Sequence, residues 1–149
     1  MATARDIEKD IETAVKAVIV AQLATDGIMG VRVDALTLGA PGEENVKPYI
    51  FVMCQPVQKQ GFGGTDSTYN TAIAIQIQTA HLTSEDRRAT NLINILGSVG
   101  YALDNADFTA QTARIGSLQI RRQGGNYDFE DSTNEVTIQC DALICGTKS

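Results

Sequence analysis

At 149 residues, 43% hydrophobic and 20% charged, the chain reads as one globular domain, 1–149, able to bury about 70% of its unfolded surface without a disulfide or metal staple. A formal net charge of −6, 5% aromatic residues and no Trp argue against a reader of nucleic acid, which carries a basic footprint or an aromatic stacking platform. No run approaches the roughly 18 apolar residues of a membrane helix, and the N-terminal MATARDIEKDIE lacks an apolar signal core.

Taken in chain order, the first predicted element is a helix from Ala4 to Thr25. Ile7, Ile11, Val15, Val18 and Gln22 recur at helical period, with Ala14 and Ile19 widening the stripe. Thr3 and Asp6 form a capping-box start, and Asp6, Glu8, Asp10 and Glu12 crowd the turns where the helix dipole favours acids. Thr25-Asp26-Gly27 is a stop signal. Val31–Leu36 alternates as a short strand, and Gly39–Asn45, with Glu43 and Glu44, reads as an exposed loop. Pro48–Cys54 is apolar on both faces, as a central strand is.

Gln58–Asn70, containing Gly61-Phe62-Gly63-Gly64, reads as a long hairpin loop. Tyr69–Thr79 is the clearest strand. Ile73, Ile75 and Ile77 take the face under a helix; Ala72, Ala74, Gln76 and Gln78 take the face that meets water or a neighbouring subunit. A second helix is predicted over Ser84–Leu103, opened by Thr83 and Asp86, with Ala89, Leu92, Ile93, Leu96, Val99 and Leu103 as its buried stripe. Gly97 and Gly100 weaken it by about 1 kcal/mol each unless close packing on the sheet calls for them. Ile115–Arg122 is a strand, Gln123–Asn126 a turn and Asn134–Cys145 a last strand. The order α-β-β-β-α-β-β predicts an α+β fold, a mostly antiparallel sheet with both helices on one face.

Catalytic patterns are missing: the sequence holds no GxSxG, HExxH or P-loop. Gly61–Gly64 lacks the Lys-Ser/Thr that follows a phosphate loop and leads into a strand instead of a helix. His81 is the only histidine, no CxxC occurs, and Cys140 and Cys145, five apart, fall on opposite faces of one strand. The three cysteines read as small hydrophobes in a reducing compartment, and no metal, cofactor or catalytic residue is expected. Arg87-Arg88 and Arg121-Arg122 are the basic doublets. In a strand Arg121 and Arg122 face opposite sides, and intrachain pairing competes there with salt bridges between subunits.

Three stretches together resemble the tail terminator (tail completion) proteins of long-tailed bacteriophages. The N-terminal helix leads through Asp26-Gly27 to Val31-Arg32-Val33. Lys47-Pro48-Tyr49-Ile50-Phe51-Val52 opens the next strand. The alternating Ile73–Gln78 strand runs into Thr83-Ser84-Glu85-Asp86-Arg87-Arg88-Ala89, and a two-stranded part closes the chain. The resemblance covers nearly the whole chain in organisation; the Gln58–Asn70 and Asp104–Arg114 connections fit no motif of it. It implies a virion protein made in the host cytoplasm. Six copies would form a ring on the head-proximal end of the tail tube, stopping tube polymerisation and joining the head. Partners would be further copies of the chain, the tail tube protein and a head-completion or neck protein, with DNA only passing through the lumen and no membrane involved. Candidate interface residues are Arg87, Arg88, Arg121, Arg122, Gln76, Gln78, Glu43, Glu44 and Phe62.

Two other classes fit the same residues. A neighbouring neck or tube component, or a small cytosolic adaptor, would share the fold without capping a tube. An enzyme with an unobvious site would gather His81, an acid and a cysteine in one pocket.

Overall fold

The computed structural model describes residues 4–36, 48–59, 68–80, 85–113, 115–129 and 133–147. Two helices, α1 (Ala4–Thr25) and α2 (Glu85–Asn105), cover one face of a sheet. Its strands are β1 (Arg32–Ala35), β2 (Tyr49–Cys54), β3 (Gln58–Lys59), β4 (Thr68–Ala80), β5 (Ile115–Phe129) and β6 (Thr133–Thr147). Strand order is β1-β2-β4-β6-β5, with β3 pairing on β4 beyond the end of β2. The α+β reading holds: two helices on a mostly antiparallel sheet. Its one parallel pair, β1 with β2, agrees with the connection over 36–48, since a parallel return needs about a dozen residues.

The core follows the period of each element. β4 places Ile73, Ile75 and Ile77 towards the helices, each 0% exposed. β2 adds Ile50 and Val52, and β6 adds Val136, Ile138 and Ile144 on the same face. Ile7, Ile11, Ala14, Val15, Val18 and Ile19 of α1 press onto them. Burying each such aliphatic side chain contributes about 1.5–3 kcal/mol, so this one face holds the fold together. α1 ends as the Asp26-Gly27 signal indicates. Gly27 takes φ +71°, its N–H bonds to Ala24 O at 3.2 Å, and Ile28 N–H bonds to Leu23 O at 2.9 Å. This paired closure satisfies carbonyls that the helix end would otherwise leave open.

Four expectations need correction. The acids of α1 do more than favour its dipole. Asp10 and Glu12 are buried and hold backbone N–H groups of other elements: Cys54 N to Glu12 Oε2 at 3.0 Å, Ala113 N and Ile115 N to the two Asp10 oxygens at 2.9 and 3.1 Å. The 58–70 stretch is not all loop, because Gln58 and Lys59 pair with Asn70 and Tyr69. The buried stripe of α2 uses Ile95 and Ala102 and leaves Ile93 61% exposed. Finally, Gln123–Asn126 is no turn. β5 runs on to Phe129 through an irregularity between Arg122 and Gly124. A side chain at Gly125 would stand 2.2 Å from the Thr137 carbonyl oxygen, so the glycine permits close backbone approach at a bulge, not chain reversal.

The Asp104–Arg114 connection has a local fold as well. A short 3-10 helix, Thr109–Gln111, is tied by Thr109, whose hydroxyl accepts Leu118 N–H at 2.9 Å, and Phe108 enters the core. The Gly39–Asn45 loop, Thr3, Thr83, Glu43, Glu44, Phe62 and His81 lie outside the described residues.

Candidate functional site

The face of the sheet turned away from the helices is the candidate site. Antiparallel partners share a face, so the register lists what it displays. Tyr49, Gln78 and Glu135 lie in one row; Phe51, Gln76 and Thr137 in the next; then Met53, Ala74 and Gln139. Ala72, Asp141 and Arg121 follow, then Asn70, Leu143 and Gln119. Where the helix face is aliphatic, this face is mixed: amides, a hydroxyl and paired charges alternate with Phe51, Met53, Ala72, Ala74 and Leu143.

The polar groups are organised. Gln76 Nε2 donates to Glu135 Oε1 at 2.6 Å and Gln78 Nε2 to Glu135 Oε2 at 3.0 Å, so two amides on β4 clasp one carboxylate on β6. Hydrogen bonds to a charged acceptor are the stronger kind, and they fix both glutamines in place. Asp141 accepts from Arg121 at 3.3 Å and from the Gln123 amide. At the far edge, Arg32 Nε bonds to Asp34 Oδ2 at 2.7 Å. A groove of about 690 Å³ lies over β4 and β6, its walls including Gln58, Asn70, Gln119, Arg121 and Asp141.

Arg121 and Arg122 part as the strand period predicts. Arg121 stays on the helix-free face. Arg122 turns under α2, where Nε bonds to Asp104 Oδ1 at 2.9 Å and a second nitrogen reaches Oδ2. Asp104 raises the Arg122 pKa above its ordinary range, against a weaker pull from partial burial. The guanidinium fills the place a side chain at Gly100 would take: a Cβ there would lie 2.8 Å from one of its nitrogens. Gly100 thus serves this packing, while Gly97 has open space.

Of the other candidate interface residues, Gln76 and Gln78 are brought together with Glu135. Arg87 and Arg88 fall in the first turn of α2. Sequence reading missed Glu135 and Asp141. Alternation puts Glu135 and Asp141 on the same face of β6 as each other, but only the register of β4 against β6 sets Glu135 opposite Gln78.

Cys54 and Cys140 offer no nucleophile here. Burial pushes Cys54 up to about 12 and Cys140 up to about 11, so both stay protonated at neutral pH. Cys140 and Cys145 do face opposite sides: Cys140 sits opposite Ile73, and Cys145 opposite Thr68. Among the described residues no three His, Cys, Asp or Glu side chains come together as metal ligands, and no helix is long and apolar enough to cross a membrane. What the face can do chemically is present many hydrogen-bonding groups in fixed positions to another surface.

No protein-family model matches the sequence, and no curated protein matches it. The fold has counterparts among solved structures. A chain of the virion of a native gene transfer agent particle superposes with a TM-score of 0.56 at 16% identity, covering 88% of this chain and 94% of that one. At that identity the likeness is one of fold, and it spans nearly the whole of both chains.

Proposed function

We propose that this chain is a structural virion protein, a tail terminator. In this reading six copies form a ring on the head-proximal end of a phage tail tube, end tube growth and offer the surface to which the head joins. The observation that carries the reading is the near end-to-end sharing of fold with a chain of a gene transfer agent virion.

The architecture suits the role. The main hydrophobic core lies on one side of the sheet, which leaves a second face where hydrogen-bonded polar side chains stand beside Phe51, Met53 and Leu143. Among the described residues β1 and β5 each keep one unpaired edge. Open edges are places where another chain adds, and a ring needs such heterologous contacts to close. Gln76, Gln78, Arg121 and Arg122, with Arg87, Arg88, Glu43, Glu44 and Phe62, are proposed to serve contacts between subunits or with adjoining rings. Partners are further copies of the chain, the tail tube protein and a head-completion or neck protein. An acidic lining lets DNA pass without being held.

The test is capping. Added to polymerising tube protein from the same virion, the chain should shorten tubes in proportion to its concentration and decorate one end in negative stain. Tubes of unchanged length and bare ends would refute the terminator role. Decoration at a site other than the tube end would favour the second reading, another component of the neck or tube with the same fold.

A further inference from the structure

We infer that two copies of this chain pair through the outer surface of the helix layer, their α2 helices crossing at Gly97 about a two-fold axis. The contact goes beyond the ring reading proposed above and does not depend on it.

The outer surface of the layer is free of charge over most of its length. No Asp, Glu, Lys or Arg occurs from Ala17 to Thr25 of α1 or from Ala89 to Leu103 of α2. A helix face turned to water ordinarily carries charge. Here it carries Val20, 47% exposed, on α1, and Ile93 and Tyr101, 61% and 60% exposed, on α2. Ser98 donates to Asp26 at 2.7 Å, which ties the end of α1 to the middle of α2 and sets the two stretches side by side.

Gly97 marks the crossing. It is exposed within α2, and nothing in the chain lies within 4 Å of the place its side chain would take. The fold makes no use of the missing side chain and gives up about 1 kcal/mol of helix stability for it. Gly100 differs, because Arg122 fills its place. Ile93 stands four residues before Gly97 and Tyr101 four residues after it. The row is therefore a notch of bare backbone between two large side chains, each about 6 Å away along the axis.

This spacing is its own complement. Where two antiparallel copies of α2 cross at Gly97, Ile93 of each meets Tyr101 of the other, the reciprocal pattern of a two-fold contact. Without a Cβ at the crossing the helices approach closely, and both large pairs close over the gap. Charge names a second copy as the occupant. Each chain carries −6, and like charges set against one another oppose association. The other broad face holds Asp34, Glu135 and Asp141, whereas helix layer on helix layer sets no carboxylate against another along these stretches. One helix pair is a small contact, so the pairing is weak and concentration-dependent. It leaves the helix-free face and the β1 and β5 edges open for the contacts of a ring.

Sedimentation over a dilution series tests the contact. The parent should show a paired species, two chains or two rings. Gly97→Leu, which fills the notch from the solvent side, should weaken pairing by at least about tenfold with its circular dichroism unchanged. Gly97→Ala should melt higher than the parent yet pair less well, a split that a purely structural glycine would not give. For the symmetry, Ile93→Cys and Tyr101→Cys chains, each in a Cys145→Ser background that removes the half-buried thiol, are mixed and mildly oxidised. The mixture should give disulfide dimers and nothing larger. Each chain alone should give only traces, since a residue and its own copy lie about 12 Å apart. Pairing unchanged in Gly97→Leu, or no pairing up to about 1 mM, would overturn the proposal. So would binding of the parent to neutral phosphatidylcholine vesicles in place of pairing, or loss of tube capping by an unpaired Gly97→Leu chain, which would give the face to lipid or to the tube protein. Rings that form without cross-linking in the mixture would overturn it and leave the ring reading standing. Cross-linked pairs that never form rings would do the reverse.

Discussion

The carboxylate of Glu12, wholly buried in α1, accepts the backbone N–H of Cys54 at the end of β2, 42 residues away in sequence, at 3.0 Å. One turn earlier Glu8 accepts Val57 N–H at 3.3 Å. These acids fasten the point where the chain leaves β2 for β3. Glu12→Ala leaves a buried N–H without that acceptor and should lower stability by about 2 kcal/mol. Glu12→Gln keeps an oxygen in reach and should lose less than half of that. Urea unfolding followed by circular dichroism distinguishes the two.

Asp10 plays the same part at the other end of the sheet, holding Ala113 and Ile115 N–H groups before β5. Asp10→Ala should cost about 2–3 kcal/mol and raise amide hydrogen exchange at Ala113 and Ile115 before it does so in β4. Equal acceleration across the whole sheet would contradict this local role.

Asp26 predicts a pH dependence. Hydrogen bonds from Ser98 and then Gln22 hold its carboxyl below the ordinary 3.8. The folded state therefore takes up this proton less readily than the unfolded state. The contribution is present above about pH 4 and fades as pH falls through the depressed folded value. Ser98→Ala should be less stable than the parent at pH 7, and the gap should shrink by pH 2. A gap independent of pH would assign the loss to packing of Ser98 instead.

The glycines separate by what surrounds them. Gly97→Ala meets nothing and should stabilise α2 by about 1 kcal/mol. Gly100→Ala only displaces the flexible end of Arg122. The ion pair it disturbs is half-exposed and of small value, so the change should be near neutral. Gly125→Ala collides with the Thr137 carbonyl and should cost about 2 kcal/mol or more. Thermal melts of the three variants check the ranking.

Thiol accessibility follows burial. At pH 8 a small disulfide reagent should label Cys145 alone, because the Cys54 and Cys140 thiols are buried and pushed up to about 12 and about 11. All three should react after unfolding. Fast labelling of Cys54 in the folded protein would mean that the end of β2 opens readily.

Much of this fold is legible in the sequence where one period dominates. The alternation of Ile73, Ile75 and Ile77 predicts a sheet with one buried face, and Asp26-Gly27 predicts where α1 stops. Local rules fail where a residue answers to something distant. Gly124-Gly125 has turn composition, yet Gly125 serves a neighbouring strand at Thr137. Asp10 and Glu12 sit where a helix dipole alone would place acids, and only the folded chain brings them to Ala113 and Cys54. The candidate face was half legible. Gln76 and Gln78 follow from the strand period, whereas Glu135, which orients both, requires the register between β4 and β6. Arg121 and Arg122 divide between faces as expected, but pairing with Asp141 and Asp104 depends on tertiary contacts.

The central claim, that this chain assembles as a ring, is tested most directly by its mass in solution over a concentration series, with negative-stain images of any large species. The account predicts a closed ring of about six chains, appearing alone or on the ends of tail tubes. A strict monomer at every concentration, with and without tubes, would contradict it.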